Sequence, residues 1–283
     1  MAAAIVLRPP PDFPFPALMT PATTAPPVMM TATVVPGSIA VTAASFTPIP
    51  TLDRASNILA GAGLETTPTV DAIVATIAAD GLEYSGPLSH AQQVALFRAS
   101  VDFARTTVTE SVEESKTING AGYSDPSNVC GPLAIAILRA ADLIPPDTAP
   151  HDFWLLDPRT PTDKRKLAQV FPTDRYDHLS VSTPINDVDW SAAPLEPGDF
   201  VFIWHGTGGN FDHMLVVNRV DRRERAYAVT NFGTPAGYII AETMLYDPND
   251  PSAGIFHEWT KQKDAILGST GFGGYEIWRL RGG

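Results

Sequence analysis

Cysteine is nearly absent from this chain: Cys130 is the only one in 283 residues, which excludes an internal disulfide and any cysteine-rich zinc or iron–sulfur centre. Basic side chains are scarce as well, 19 against 31 acidic ones, and the formal charge of -12 leaves no surface suited to neutralising phosphates, so nucleic acid is not an expected partner. No stretch comes near the run of about 20 apolar residues that a membrane-spanning helix requires. The opening segment Met1 to Leu7 has no basic cluster and is cut short by Pro9, Pro10 and Pro11, so it does not read as a general secretion signal; a specialised export route would leave no such mark. No metal and no cofactor is expected. Zinc-ligand spacing is missing, residues 268–274 hold several glycines without the strand and helix that a phosphate loop needs, and Asp247, Asn249 and Asp250 alternate with Pro248 and Pro251 as a turn does.

What remains is an ordinary globular composition, 44% hydrophobic and 18% charged, unevenly distributed. Residues 1–52 are rich in Pro, Ala, Thr and Val, carry only Arg8 and Asp12 as charges, and read as an extended arm. Phe13, Phe15, Leu18, Met29 and Met30 make the arm more apolar than a solvated tail, so it either packs along the body or docks the chain to a protein assembly. Residues 53–118 form a helical segment. Its candidates are 53–64, 69–79 and a third helix after a Ser89 cap, in which Val94, Phe97, Val101, Ala104 and Val108 recur at steps of three and four. A Gly/Ser/Asn-rich loop leads to the apolar run 133–143, a buried helix stopped by Pro145 and Pro146. Residues 147–190 read as an irregular insertion with a short helix around 162–170. Beyond it, 199–204, 213–220, 226–232 and 275–280 are short, β-branched and aromatic, the pattern of an antiparallel sheet. Helices first and strands afterwards make the expected fold α+β.

Within that frame one constellation carries chemistry. Cys130 stands in Asn128-Val129-Cys130-Gly131-Pro132, at the start of the buried helix, where unsatisfied backbone N–H groups and the helix dipole favour a thiolate and can hold an oxyanion. Gly131 permits close approach of a substrate, and Pro132 fits a first helical turn. Two bases are available downstream, His205 and His213. Pairing Val220 with Ala226 across the turn 221–225 sets Asn231 opposite Leu215, on the same face as His213, so that its amide can hold the imidazole; a slip of one residue would undo this. His205, at a strand end beside Gly206-Thr207-Gly208-Gly209, suits a substrate-contacting role. Asp212 is the weaker orienter, since neighbouring strand residues point to opposite faces.

A cysteine at a helix start, then Leu195-Glu196-Pro197-Gly198-Asp199-Phe200-Val201-Phe202-Ile203, then Asp212-His213-Met214-Leu215-Val216-Val217, then a polar residue on the following strand: this order resembles the papain-like cysteine hydrolases of the NlpC and CHAP types. The resemblance covers residues 119–283, with 147–190 as an insertion. It implies a papain-like core and hydrolysis of amide bonds through Cys130, His213 and Asn231. Tyr123, Asn128, Gly131 and His205 would stand around the oxyanion and substrate. The implied substrates are peptidoglycan stem peptides first and protein second, with deamidation as the enzymatic alternative. Asn-Val-Cys-Gly-Pro departs from the Asp-Cys-Ser-Gly usual in the NlpC type. From another class comes the reading of an inert papain-like binding or delivered module docked through its arm. The ending Arg279-Leu280-Arg281-Gly282-Gly283 resembles the tail of ubiquitin, although a last strand at 275–280 followed by loose glycines is the preferred explanation.

Overall fold

The structure, a computed structural model, describes residues 86–207, 212–261 and 270–282. The arm of residues 1–52 and the helical candidates 53–64 and 69–79 lie outside the described residues, as do Gly208 and Gly209. Helix α1 (His90–Phe103) starts in a reciprocal cap, Ser89 Oγ accepting from Gln92 N–H while Gln92 Oε1 accepts from Ser89 N–H. The apolar stripe expected to run on to Val108 is interrupted. Ala104 is extended, and Thr107 with Glu110 makes a second capping box that opens α2 (Val108–Asn119). Side-chain oxygens there bind the N–H groups that a continuous helix would have paired, so Val108 belongs to the next helix.

Helix α3 (Cys130–Ala140) buries its first nine residues, from Cys130 to Leu138. It stops short of Leu143 because Asp142 adopts φ 56, a left-handed conformation that ends the helix before Pro145 is reached. Helix α4 (Pro161–Val170) follows a Thr160 cap with Pro at its first turn.

The strands form two antiparallel sheets, and the fold is mixed α+β. One has four strands in the order β1 (Tyr176–Val181), β7 (Thr270–Leu280), β2 (Phe200–Thr207) and β3 (His213–Val216); the other has three, β4 (Arg219–Val220), β5 (Ala226–Thr234) and β6 (Gly237–Tyr246). Helix α5 (Ile255–Lys261) precedes β7. Three of these elements are not apparent in the sequence. β1 lies inside the stretch read as an insertion because it is an edge strand whose Asp177, His178, Leu179 and Ser180 are exposed, so its composition is that of a loop. β6 and α5 complete the second layer. The segment expected as one strand from 213 to 220 is divided: β3 ladders with β2, and β4 with β5 in the other sheet.

Alternation along β2 and β3 sorts the core into two clusters. Phe200, Phe202, Met214 and Val216 pack with Cys130, Leu133, Ile137 and α1; Val201, Ile203, Leu215 and Val217 pack with Trp190, Phe256, Trp259 and Tyr275. Both faces of the sheet are therefore covered, which is why those strands read as unbroken apolar runs. A turn at Pro197-Gly198-Asp199 opens β2, with Gly198 at φ 93 and its N–H bonded to Val217 O. Asp199 there meets the Arg279 guanidinium at 2.8 and 2.6 Å. Among the described residues no helix is long and apolar enough to cross a membrane.

Candidate active site

Cys130 is the first residue of α3, and three elements converge on it. Its helix has no side-chain cap, since Val129 occupies that position, so the N–H groups at the start keep their freedom to face a ligand. Burial pushes the Cys130 thiol up, while backbone N–H groups of Met214, Gly131 and Cys130 itself act on the sulfur in the opposite sense; the Asp212 carboxylate adds to the upward push. Cys130 as a residue is 7% exposed. Gly131 is required for a close approach: a Cβ there would stand 2.3 Å from Phe153 O and 2.9 Å from the Met214 sulfur. Asn128 closes the short helical turn Pro126–Asn128 two residues before the cysteine, its N–H bonded to Asp125 O at 3.2 Å.

The imidazole expected beside Cys130 turns the other way. His213 shares its side of β3 with Leu215 and Val217, and its ring meets Trp259 at 4.6 Å and Phe272 at 6.4 Å, both packed in the cluster across the sheet from Cys130. Its Nε2 lies 2.9 Å from Thr230 Oγ1, not from Asn231. Burial lowers the ring to about 3, so it is neutral and apolar in its surroundings. Asn231 faces the opposite side: it is 2% exposed and its Nδ2 donates to Ser127 O at 3.1 Å, in the loop before Cys130. Asn231 and His213 thus do not share a face.

The reason is local. Val220 pairs with Ala226 and Arg219 with Tyr227, as the turn predicts, yet Asn218 N–H also bonds to Tyr227 O at 2.9 Å. Two residues of one strand therefore stand against one of the other where the chain crosses between sheets, and the parity shifts by one.

The histidine beside Asp212 is His205, not His213. Its Nδ1 lies 2.8 Å from Asp212 Oδ1, which also accepts the His205 backbone N–H at 2.8 Å. Asp212 is the same carboxylate whose charge reaches the Cys130 sulfur. Beside the pair, Arg159 lies over the Trp204 ring at 4.8 Å and bonds to Asp157 at 2.9 Å. That guanidinium, first by hydrogen bond, holds the Asp157 carboxyl below its ordinary value. The His205–Asp212 pair follows from the antiparallel register of β2 and β3, with Ile203 opposite His213. Weighing Asp212 only as a partner for its neighbour His213 concealed it.

Tyr123 does not contact the cysteine through any ring or hydrogen bond described; it stands against His151 at 4.6 Å and Trp154 at 4.7 Å. His151 is itself fixed by Asn119 Oδ1, 2.6 Å from its Nδ1. These rings flank Phe153, whose carbonyl abuts Gly131, so they form a rim near the helix start that the sequence did not disclose. Asp247 and Asp250 serve their own turn, accepting from Asn249 N–H and Ser252 N–H. Among the described residues no group of three or more His, Cys, Asp or Glu is placed to hold a metal ion.

At the other end of the chain Arg279 is built into the fold through Asp199 and Glu196, and Arg281 is held by Arg175 O and Asp177. The ending is therefore strand to Leu280 and bonded backbone at Arg281, and Gly282 is exposed.

In comparison with known proteins, no family, no curated relative and no solved structure matches this chain.

Proposed function

We propose that this protein is a cysteine hydrolase of amide bonds, papain-like in the order of its parts, with Cys130 as nucleophile and His205 held by Asp212 as its base. The observation that carries the reading is the convergence on one sulfur of an uncapped buried helix start, the Met214 backbone N–H and the carboxylate that orients His205. With Nδ1–H donated to Asp212, the imidazole presents Nε2 as the acceptor, the tautomer a general base needs. In the reaction His205 takes the Cys130 proton and the sulfur attacks the carbonyl carbon. The oxyanion is received by helix-start N–H groups, and the amine leaves with the proton that His205 returns. Water then releases the acid from the thioester by the same proton route. Burial alone pushes the thiol up, so the thiolate present near neutral pH is what His205 supplies by taking the proton.

The resemblance to NlpC and CHAP enzymes puts peptidoglycan stem peptides first among substrates and protein amides second. Deamidation uses the same residues, with ammonia as the leaving group. One observation favours a different class: Cys130 and His213 are both buried, on opposite faces of a sheet, which suits an inert papain-like binding or delivered module.

Iodoacetamide decides between them. For the hydrolase, Cys130 in the folded protein is alkylated faster than a free thiol near neutral pH, His205→Ala and Asp212→Asn lose that excess at least tenfold, and His213→Phe keeps it. Alkylation that requires denaturant overturns the enzyme reading. Digestion of purified sacculi, followed by assay for released stem peptides and new amines, separates the cell-wall substrate from a protein one.

A further inference from the structure

A helix that begins at a nucleophile has a conflict to resolve. A side-chain cap would fix its first turn but occupy N–H groups that the sulfur and an oxyanion require. Here Val129, buried and without a polar side chain, leaves those groups uncapped. The first turn must then be held from elsewhere.

The only long-range side-chain hydrogen bond described for the residues just before Cys130 comes from Asn231, 104 positions away on β5. Its Nδ2 donates to Ser127 O at 3.1 Å, while the Ser127 N–H is taken by Asp125 Oδ1 at 2.9 Å. Both backbone groups of Ser127 are thereby tied, and the chain runs from it through Asn128 and Val129 to the sulfur. Asn231 is 2% exposed, and among the described residues its Oδ1 is buried without a partner. An unpartnered amide oxygen costs stability, and a leucine of the same size would avoid that cost. The residue's polar service is the one bond from its nitrogen.

We infer that Asn231 is the positioning residue for Cys130, clasping Ser127 in place of the cap that the helix does not have, so that the N–H groups of the first turn remain aimed at the sulfur. The catalytic half of this inference rests on reading Cys130 as a nucleophile; the clasp itself does not. It assigns Asn231 to the cysteine loop and not to a histidine, and the other elements around the sulfur complete the hold: Met214 from β3 and the Phe153 carbonyl against Gly131.

The test compares wild type with Asn231→Leu, which keeps the volume and loses the donor. Hydrogen exchange is followed in peptides covering 126–133, with β1 and β7 as the internal reference, and Cys130 alkylation is followed against pH. The clasp predicts exchange at 126–133 at least tenfold faster while the reference strands are unchanged. It also predicts an alkylation profile displaced toward higher pH, a change that loss of stability alone would not produce. Should Asn231→Leu not fold, Asn231→Ala loses the same donor, adds neither a charge nor a new donor, and carries the same comparison. A folded variant with unaltered exchange at 126–133 overturns the inference. A wild-type thiol no more reactive than a free one overturns the hydrolase reading instead, and exchange still decides whether Asn231 holds the turn.

Discussion

Gly131 illustrates how a single residue constrains the cysteine loop. Because a methyl group there would lie 2.3 Å from a backbone carbonyl and 2.8 Å from Met214 Cε, Gly131→Ala forces Phe153 or α3 to move. Overpacking of this kind costs about 1–3 kcal/mol, and a backbone obstacle puts it at the upper end, to be read as a lowered urea midpoint with unchanged slope. Cys130 at the head of a buried helix, with a glycine after it, was legible from the sequence because apolar composition and a helix-start proline are local properties. The facing of His213 was not. Its strand is apolar on both sides, so alternation offered no reference, and one extra residue near Asn218 put His213 and Asn231, expected on one face, on opposite faces.

Elements here are set by caps and by one buried ion pair. The break between α1 and α2 follows from Thr107 Oγ1 accepting Glu110 N–H at 3.2 Å. Thr107→Ala should cost about 1 kcal/mol, measured as a lower thermal midpoint, and Thr107→Asp, which restores a cap, should recover most of it. In the smaller sheet Arg219 pairs with Glu242 at 2.8 Å, covers Tyr227 at 3.5 Å and leaves little of either charge in water. Arg219→Met strands the Glu242 carboxylate and should destabilise by about 3–5 kcal/mol, whereas adding Glu242→Met should return much of the loss, since the pair as a whole is worth far less than either charge left alone. Unfolding of the two variants in urea checks this. Capped helices and the Pro-Gly-Asp turn could be anticipated, because their signals lie within a few residues of each other. β1 could not, because an edge strand has no need of apolar residues on its open side.

At the scale of the whole molecule, the two-cluster core makes stability depend on pH through His213. Its folded value is about 3, below the 6.5 of an ordinary imidazole, so between those values the unfolded chain binds a proton that the native one refuses. Stability is complete above pH about 6.5 and falls as the pH drops from there toward 3, by up to a few kcal/mol. Urea midpoints of the wild type should therefore decline across that window, and His213→Phe should decline less; equal slopes would mean that the ring is not buried neutral. Composition by itself determined that the chain has no internal disulfide and a net negative charge, and the hydrophobic periods determined helices followed by antiparallel strands, since each of these depends on residue type and on neighbours a few positions away. Only the tertiary structure decided which histidine meets a carboxylate, which side of the sheet each polar side chain occupies, and that Asn231 reaches the cysteine loop. Those outcomes turn on register and on packing between segments as much as 104 residues apart, where a shift of one position reverses every face and the local sequence is the same either way.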